Sequence, residues 1–335
     1  MVEVIDMNAL TNQPPIADDP LFHAFELPAA FVRPAVDACR LFNTLLDSLF
    51  YDVPDLVTDL QRRDLEVATS GEKLPTRIID LGALSNPEGS LLLIDATTAP
   101  YVHQYHDVGL FLDSPHPETR AVEIATITGV GSSALGSAAL AWDISVTLQK
   151  PVLAIVPGYG LADMTLQALG GWFGFGLYDY LGAKSMVQNA LANVAPSAAT
   201  IGRGLSASVP DAKTLHGAPV YRHGSGSSDV LHALMRDRAT PFSTVIGHSK
   251  GALAIGNALR TLDAEKTNGL KIVTLGCPIA KELEGATYHQ FLGLFDALGQ
   301  LNMWGHQPSA WIPTWHSTNP ALPPAMEAGA LSRAA

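Results

Sequence analysis

The sequence has few cysteines, few charged side chains and a shortage of positive charge. Only Cys39 and Cys277 occur among 335 residues, which makes no disulfide framework and predicts two buried thiols in a reducing compartment. Charged residues make up 16% of the chain, and 20 Lys and Arg stand against 32 Asp and Glu, a net charge of −12. This balance argues against nucleic acid or an anionic membrane surface as a partner.

The chain also lacks long apolar runs, although 47% of its residues are hydrophobic. Every run is much shorter than the roughly 20 residues that a membrane-spanning helix needs. Residues 1–6 include acids and no basic stretch, so we expect no signal peptide. These features predict a cytoplasmic protein with a large buried core and no membrane span.

Short apolar runs alternate with stretches of helical periodicity along most of the chain. The runs predict strands at residues 91–94, 108–112, 121–128, 152–156, 244–246, 270–275, 291–295 and 311–315. Helices are expected from Ala134 to Leu148, between residues 161 and 191, and after Ser227 and Lys250. Strands interleaved with helices predict an α/β fold with a mostly parallel central sheet and helices on both faces.

The stretch Gly247-His248-Ser249-Lys250-Gly251 lies between a predicted strand and a predicted helix. A Gly-x-Ser-x-Gly sequence in this context is the nucleophile elbow of α/β-hydrolases, a sharp turn that exposes a reactive serine. The turn is so tight that its flanking positions must lack a side chain. Ser249 is therefore the candidate nucleophile.

A serine nucleophile needs a base within hydrogen-bond reach, and the base needs an acid that fixes its tautomer. In α/β-hydrolases an acid and then a histidine follow the serine in the chain. Asp296 and His316 each directly follow a predicted strand, which makes them the candidate acid and base. His306 is the competing base. His289 precedes the strand that leads to Asp296, so we expect it at the opposite edge of the sheet.

The oxyanion of the reaction needs two convergent backbone N–H donors. Lys250 is the first candidate, because it follows the nucleophile and begins a helix. The second donor is expected in the loop after the third strand, at Val130 or Gly131, since that strand lies beside the fifth in this fold. Residues 157–160 form a competing Gly-rich loop.

From about residue 91 to 324 the chain resembles an α/β-hydrolase, and within that superfamily it is most similar to the class 3 lipases. The matching residues are 124–129, 247–254, 273–278 and the late Asp296 and His316. The chain differs from that family at Lys250, where an apolar residue is usual, and in a short gap of 316 − 296 = 20 residues between acid and base. The resemblance implies an esterase or lipase that acts on a small-molecule ester or lipid through an acyl-enzyme, without a cofactor.

This interpretation divides the chain into three parts. Residues 1–85 are predicted to form an N-terminal helical cap with no chemistry of its own. Residues 86–325 are the predicted α/β-hydrolase catalytic domain, and residues 326–335 a flexible tail.

Residues 160–211 are a candidate lid insertion within the catalytic domain. This segment combines glycines with the large apolar side chains of Trp172, Phe173 and Phe175. Such a composition is typical of a lid or of the wall of an acyl pocket, and also of an ordinary buried turn.

Other functions need different features. Thioester or lactone cleavage, or acyl transfer, would use the same residues. A short-chain dehydrogenase is favoured by the Gly-rich residues 128–136 and by Tyr180 and Lys184, which have the Tyr-x-x-x-Lys spacing. Only 180 − 128 = 52 residues separate the two motifs, however, and no acidic residue ends the strand at 152–156 to hold a ribose.

Two further interpretations compete with these enzymes. His103 and His106 have no evident third and fourth partners, so we predict a surface loop there and no metal site. A binding or scaffolding protein on an inactive hydrolase fold would be expected to have a broken triad, and here all three residue types are retained.

Overall fold

The computed structural model describes residues 29–70, 79–157, 160–171, 173–180, 183–199, 201–202, 226–260, 262–303 and 306–335. Its helices are α1 (Ala29–Phe50), α2 (Val53–Ser70), α3 (Val108–Leu112), α4 (Pro117–Ala121), α5 (Ala134–Leu148), α6 (Leu161–Ala168), α7 (Phe175–Tyr180), α8 (Ala183–Val194), α9 (Pro196–Ala199), α10 (Gly226–Asp237), α11 (Lys250–Leu259), α12 (Ala264–Thr267), α13 (Ala297–Asn302) and α14 (Ala328–Ala334). Its strands are β1 (Leu91–Ile94), β2 (Val102–Tyr105), β3 (Ile124–Ile127), β4 (Val152–Ile155), β5 (Thr244–His248), β6 (Lys271–Leu275), β7 (Thr287–Gly293) and β8 (Ala310–Ile312).

The described strands form one eight-stranded sheet in the order β2-β1-β4-β3-β5-β6-β7-β8. β1 is antiparallel to both of its neighbours, and every other pair is parallel. The predicted α/β fold with a mostly parallel sheet is therefore confirmed. β3 pairs with β5, also as predicted, with Ile127 opposite Gly247. The loops that follow these two strands consequently emerge side by side.

Helices cover both faces of the sheet and enclose two hydrophobic clusters. One cluster joins Trp142 of α5 and Leu56 of α2 to the sheet, and the other joins Leu231 of α10 and Ile255 of α11 to its opposite face. Every residue of β1, β3 and β4 is buried. Strands buried on both faces read as continuous apolar runs, which is why the sequence located these strands correctly.

The prediction of a strand at residues 108–112 was wrong, because these residues form helix α3. The Oδ1 of Asp107 accepts a hydrogen bond from the N–H of Leu110 at 2.8 Å and so caps the first turn of this helix. A short apolar run does not by itself distinguish strand from helix, and here the cap favours the helix. The second strand is instead β2, which forms an antiparallel pair with β1.

The last two strands lie close to their predicted positions, with shifted ends. β7 begins at Thr287, so His289 lies inside this strand and not before it. Asp296 follows the end of β7 by a short turn and is the N-cap of α13. His316 follows β8 in a loop, as the sequence predicted.

Residues 326–335 are not a flexible tail, and that prediction was wrong. They include α14, which packs against α5 with Met326 and Ala328 fully buried. The N–H of Gly329 donates to the Oδ2 of Asp143 at 3.0 Å. The small side chains of this segment allow the two helices to approach closely, since a Cβ on Gly329 would overlap with the side chain of Thr147.

The described part of the N-terminal region is helical, as predicted, and consists of α1 and α2. Buried Val36 of α1 packs with Ala195, Ala198 and Ile201 of the segment at 160–211. Cys277 is buried and Cys39 half-buried, and neither forms a disulfide. Within the residues that the structure describes, no helix has the length and apolar character needed to cross a membrane.

Candidate active site

Ser249 lies in the turn between β5 and α11 with φ +55° and ψ −129°, a conformation that is rare for a residue with a side chain. Such a conformation costs about 1–3 kcal/mol and persists only where the surroundings impose it. A Cβ on Gly247 would lie 2.6 Å from the Cα of Ala252, and one on Gly251 would overlap with the carbonyl oxygen of Ile127. Glycine at both flanking positions therefore allows α11 to pack directly behind the turn.

Ser249, His316 and Asp296 form a continuous chain of hydrogen bonds. The Oγ of Ser249 lies 2.8 Å from the Nε2 of His316, whose Nδ1 lies 2.8 Å from each carboxylate oxygen of Asp296. All three residues are buried. An ionised carboxylate can only accept, so Nδ1 carries the proton and Nε2 accepts from the serine hydroxyl. The structure thus brings together the three residues that the sequence singled out.

Asp296 is oriented by the first turn of α13. Its Oδ1 accepts a hydrogen bond from the N–H of Gly299 at 2.6 Å. A Cβ on Gly276 would lie 3.0 Å from the ring of His316, and one on Gly299 would lie 2.5 Å from the Oδ2 of Asp296. Backbone therefore encloses the Asp296–His316 pair closely and restricts how the imidazole can turn.

The competing histidines have other neighbours. The Nε2 of His306 lies 3.0 Å from the Nε2 of Gln290 and 3.9 Å from the Oε1 of Glu282. His289 lies within β7, where it is opposite Val273 of β6. Of the three late histidines, His316 is the one that contacts Ser249.

The loop after β3 lies against Ser249, and we call residues 129–132, which include the candidate oxyanion donors Val130 and Gly131, the oxyanion loop. Gly129, Val130 and Gly131 line the same cleft as Ser249. The N–H of Ser132 donates to the carbonyl oxygen of Gly129 at 3.3 Å, and Gly131 has φ +75°, so the loop is a tight turn with glycine at its left-handed position. In the described part of the chain, the N–H groups of Val130 and Gly131 have no acceptor.

Lys250 begins α11 next to Ser249, so its N–H lies at the positive end of the helix dipole. Its Nζ lies 3.7 Å from the Oδ1 of Asp163, which is 2.7 Å from the Nζ of Lys184. Burial alone would raise the pKa of Asp163, but the ammonium groups of Lys184 and Lys250 outweigh burial and lower it. A lysine fits at position 250 because its side chain joins this buried ion cluster.

The competing oxyanion loop borders this ion cluster. Pro157 lines a second cavity together with Asp163, Lys184 and Lys250, and Ser249 is not part of its lining. Gly158 and Tyr159 lie outside the described residues. The structure thus places residues 129–132 beside Ser249 and Pro157 beside the ion cluster.

Helix α1 forms one wall of the cleft, which the sequence analysis did not predict. Leu46, Asp47 and Phe50 of α1 line it, together with Tyr51, which directly follows the helix. The ring of Phe50 packs edge-on against His316, with 5.9 Å between ring centroids. That the cap has no chemistry of its own stays a prediction, but the helix that forms it contacts His316. The available signal was a polar residue, Asp47, among the apolar positions in the last turn of an amphipathic helix that Tyr51 directly follows.

His248 of the elbow is fully enclosed. Its Nε2 lies 2.8 Å from the carbonyl oxygen of His316, and its Nδ1 lies 2.8 Å from the hydroxyl of Tyr51. Burial, aided by repulsion from His316, lowers the pKa of His248 to about 3. The ring is therefore neutral at physiological pH, its Nε2–H donates to the carbonyl, and its Nδ1 accepts from Tyr51.

The neutral state of His248 predicts a specific acid sensitivity. An unfolded histidine gains a proton as the pH falls below about 6.5, whereas folded His248 does not until about pH 3, so stability is lost as the pH falls through this window. Between about pH 7.5 and pH 5 the free energy of unfolding of the wild type should fall by about 2 kcal/mol more than that of His248→Gln. Urea denaturation at both pH values measures this difference. Equal losses in the two proteins would show that His248 is not a buried neutral base.

The candidate lid residues do not line the Ser249 cleft where they are described. Phe173 is exposed, and Phe175 is buried in the cluster beneath α10 and α11. Asn302 of α13 fixes this segment, since its Nδ2 donates to the carbonyl oxygen of Phe173 at 2.9 Å and its Oδ1 accepts from the N–H of Gly176 at 2.6 Å. Trp172 lies outside the described residues. Apart from the elbow, His316 and the oxyanion loop, the described lining comes from residues 46–51 and from Leu298 of α13.

The motifs behind the other interpretations are engaged in different contacts. Lys184 of the Tyr-x-x-x-Lys sequence is 2.7 Å from Asp163 and 3.3 Å from Glu88. His103 lies on β2, with 5.7 Å between its ring centroid and that of His116. Across the described ranges, no group of three or more His, Cys, Asp and Glu residues has a geometry that could hold a metal ion.

Comparison with protein-family models, with curated proteins and with solved structures returns no match to this chain.

Proposed function

We propose that the chain is a serine carboxylic-ester hydrolase, an esterase or lipase built on the α/β-hydrolase fold. The observation that carries this proposal is the hydrogen-bond chain from Asp296 through His316 to Ser249, with Ser249 on a strained turn between strand and helix. The order of these residues in the chain and the position of the elbow after the fifth strand agree with that fold.

In the first half of the reaction His316 acts as a general base. Its Nε2 takes the proton of Ser249 while Oγ forms a bond to the ester carbonyl carbon, and the carbonyl oxygen becomes an oxyanion. The N–H groups of Lys250 and of Val130 or Gly131 are the proposed donors to this oxyanion. His316 then passes the proton to the leaving alkoxide as the carbon–oxygen bond of the ester breaks, which leaves an acyl-enzyme.

In the second half water replaces the alcohol. His316 takes a proton from water, the hydroxide adds to the acyl carbon, and a second oxyanion forms at the same place. The acyl–Oγ bond then breaks, and the proton on His316 returns to Ser249. Asp296 stabilises the imidazolium in both halves and is itself not protonated.

The cleft favours an apolar acyl group. It is open to solvent, and the apolar side chains of its lining include Leu46, Phe50, Val130 and Leu298. We therefore propose esters of apolar acids as the first substrates. Thioesters, lactones and alcohol acceptors would use the same catalytic residues.

Covalent labelling tests the proposed function. A fluorophosphonate probe should add one phosphonyl group per chain of the wild type, on the peptide that contains Ser249, and p-nitrophenyl butyrate should be hydrolysed. Ser249→Ala should lose the label because it removes the hydroxyl that lies 2.8 Å from the Nε2 of His316. Ser228→Ala removes a different buried hydroxyl, which bonds to the carbonyl oxygen of Ala254, and should retain the label. Wild type that is neither labelled nor active on any ester, or label that persists in Ser249→Ala, would refute the proposal.

A further inference from the structure

Tyr51 connects the oxyanion loop to the elbow and to the base. Its Oη accepts a hydrogen bond from the N–H of Gly129 at 2.8 Å, and its O–H donates to the Nδ1 of His248 at 2.8 Å. His248 in turn donates from Nε2 to the carbonyl oxygen of His316 at 2.8 Å. Burial raises the pKa of Tyr51, so the hydroxyl keeps its proton. One side chain thus links the donors of the oxyanion site to the backbone of the base.

Asp47, one helical turn before Tyr51, holds the other end of the oxyanion loop. Its Oδ1 accepts from the hydroxyl of Ser132 at 2.8 Å, and its Oδ2 accepts from the N–H and the hydroxyl of Ser133 at 3.1 and 2.6 Å. A Cβ on Gly136 would overlap with this carboxylate, so α5 also packs closely on it. Burial raises the pKa of Asp47 to about 6, although these hydrogen bonds act in the opposite direction. The loop is therefore held at one end by Asp47 of α1 and at the other by Tyr51, which directly follows this helix.

The loop after His316 is bound to the same end of α1. The last carbonyl groups of a helix have no partner within it. Here the hydroxyl of Ser317 donates to the carbonyl oxygen of Leu49, and the hydroxyl of Thr318 donates to the carbonyl oxygen of Phe50. The Nδ2 of Asn319 donates to the carbonyl oxygen of Ser48, and all three distances are 2.8 Å. The C-terminal turn of α1 therefore contacts the segments that carry the oxyanion donors and the base.

From these contacts we infer that Tyr51 is a positioning residue, which sets the oxyanion loop in register with the elbow and His316, and that α1 belongs to the active site. The inference rests on the proposed function. Its physical basis is that oxyanion donors act only when they are aimed at the place where charge develops. A displacement of about 1 Å can cost about 10²-fold in rate.

Removal of the Tyr51 hydroxyl should therefore lower kcat with little change in KM. Tyr51→Phe keeps the ring but leaves the N–H of Gly129 and the Nδ1 of His248 without their partner. We expect kcat for p-nitrophenyl butyrate to fall about 10- to 100-fold and KM to change less than about twofold. The affinity for an alkyl boronic acid, which forms a tetrahedral adduct on Ser249, should fall in parallel with kcat/KM. The affinity for a competitive alcohol that only fills the cleft should not change.

Tyr288→Phe is the matched control, because the hydroxyl of Tyr288 also accepts a backbone N–H, from Leu283 at 3.0 Å, and lies on β7 outside the cleft. Its kcat should equal that of the wild type. Fluorophosphonate titration counts the reactive active sites in each sample. A smaller fraction of folded protein is therefore not mistaken for a lower kcat. Asp47→Asn, assayed in the same way, tests the other attachment of the loop. Here too kcat should fall while KM changes little.

The possible outcomes separate this inference from the proposed function. Active wild type and equal kcat per titrated site in Tyr51→Phe would overturn the positioning role and leave the hydrolase proposal standing. Equal losses of boronic acid and alcohol affinity in Tyr51→Phe would also overturn it, since they would indicate a general distortion of the cleft. Wild type that is neither labelled nor active would overturn both proposals together.

Discussion

Replacement of His316 by Ala is expected to lower kcat for ester hydrolysis by about 10⁶-fold, the size of effect seen when the base of a serine triad is removed. Without the imidazole, the proton of Ser249 has no acceptor, because the Nε2 of His316 is the group that lies 2.8 Å from its Oγ. KM should change little, since the lining of the cleft is otherwise retained. Initial rates with p-nitrophenyl butyrate at high enzyme concentration measure the residual activity.

The control for this substitution is His306→Ala, which removes the competing histidine. His306 lies beside Gln290 and Glu282, so its removal should leave kcat within about threefold of the wild type. If His306→Ala were inactive and His316→Ala active, the base would be His306 and the hydrogen bond to Ser249 would be catalytically irrelevant. Two equally inactive variants with unchanged melting temperatures would mean that neither ring acts alone.

Replacement of Asp296 by Asn is expected to lower kcat by about 10⁴-fold while the fold is preserved. Both carboxylate oxygens of Asp296 lie 2.8 Å from the Nδ1 of His316, and Oδ1 also accepts from the N–H of Gly299. An amide that keeps its oxygen towards Gly299 presents its NH₂ to His316. The ring then holds its proton on Nε2, where it cannot accept from Ser249. Steady-state rates together with the melting temperature separate this effect from unfolding.

Glu282→Gln is the corresponding control, because Glu282 is the acid beside the competing histidine. It should retain the activity of the wild type. An Asp296→Asn variant with at least a tenth of the activity of the wild type would show that the carboxylate does not set the tautomer of His316. In that case Asp296 would have only its structural role as the N-cap of α13.

Several features of the candidate site were predictable because their causes are local. The elbow follows from steric limits within the turn, where a Cβ at Gly247 would collide with the backbone of Ala252. The positions of Asp296 and His316 follow from chain order and from the rule that parallel strands deliver their ends to one edge of the sheet. The pairing of β3 with β5, which brings the oxyanion loop to Ser249, followed from the strand count together with the strand order that the resemblance to α/β-hydrolases implies.

The strand count placed Ser249 correctly after the fifth strand, although one of the strands that it counted is a helix. Residues 108–112 were counted as a strand and are a helix, while the strand that replaces them in the count is β2. The run has the same apolar character in either state, and the decisive contact is the cap from Asp107. The C-terminal helix α14 was missed because its Ala and Gly residues form no strong apolar stripe. Its stability comes from packing on α5.

The sequence by itself determined the alternation of strands and helices, the turn at Ser249 and the three residues that meet there, because each of these depends on neighbouring residues or on chain order. Only the tertiary structure decided what surrounds them. It placed Asp47 of α1, and Tyr51 just after this helix, against the oxyanion loop, and the loop after His316 against the end of the same helix, through hydrogen bonds between residues 78 or more positions apart. No local pattern encodes such contacts, because they form only when the folded sheet brings its N-terminal helix and its last loop to the same edge.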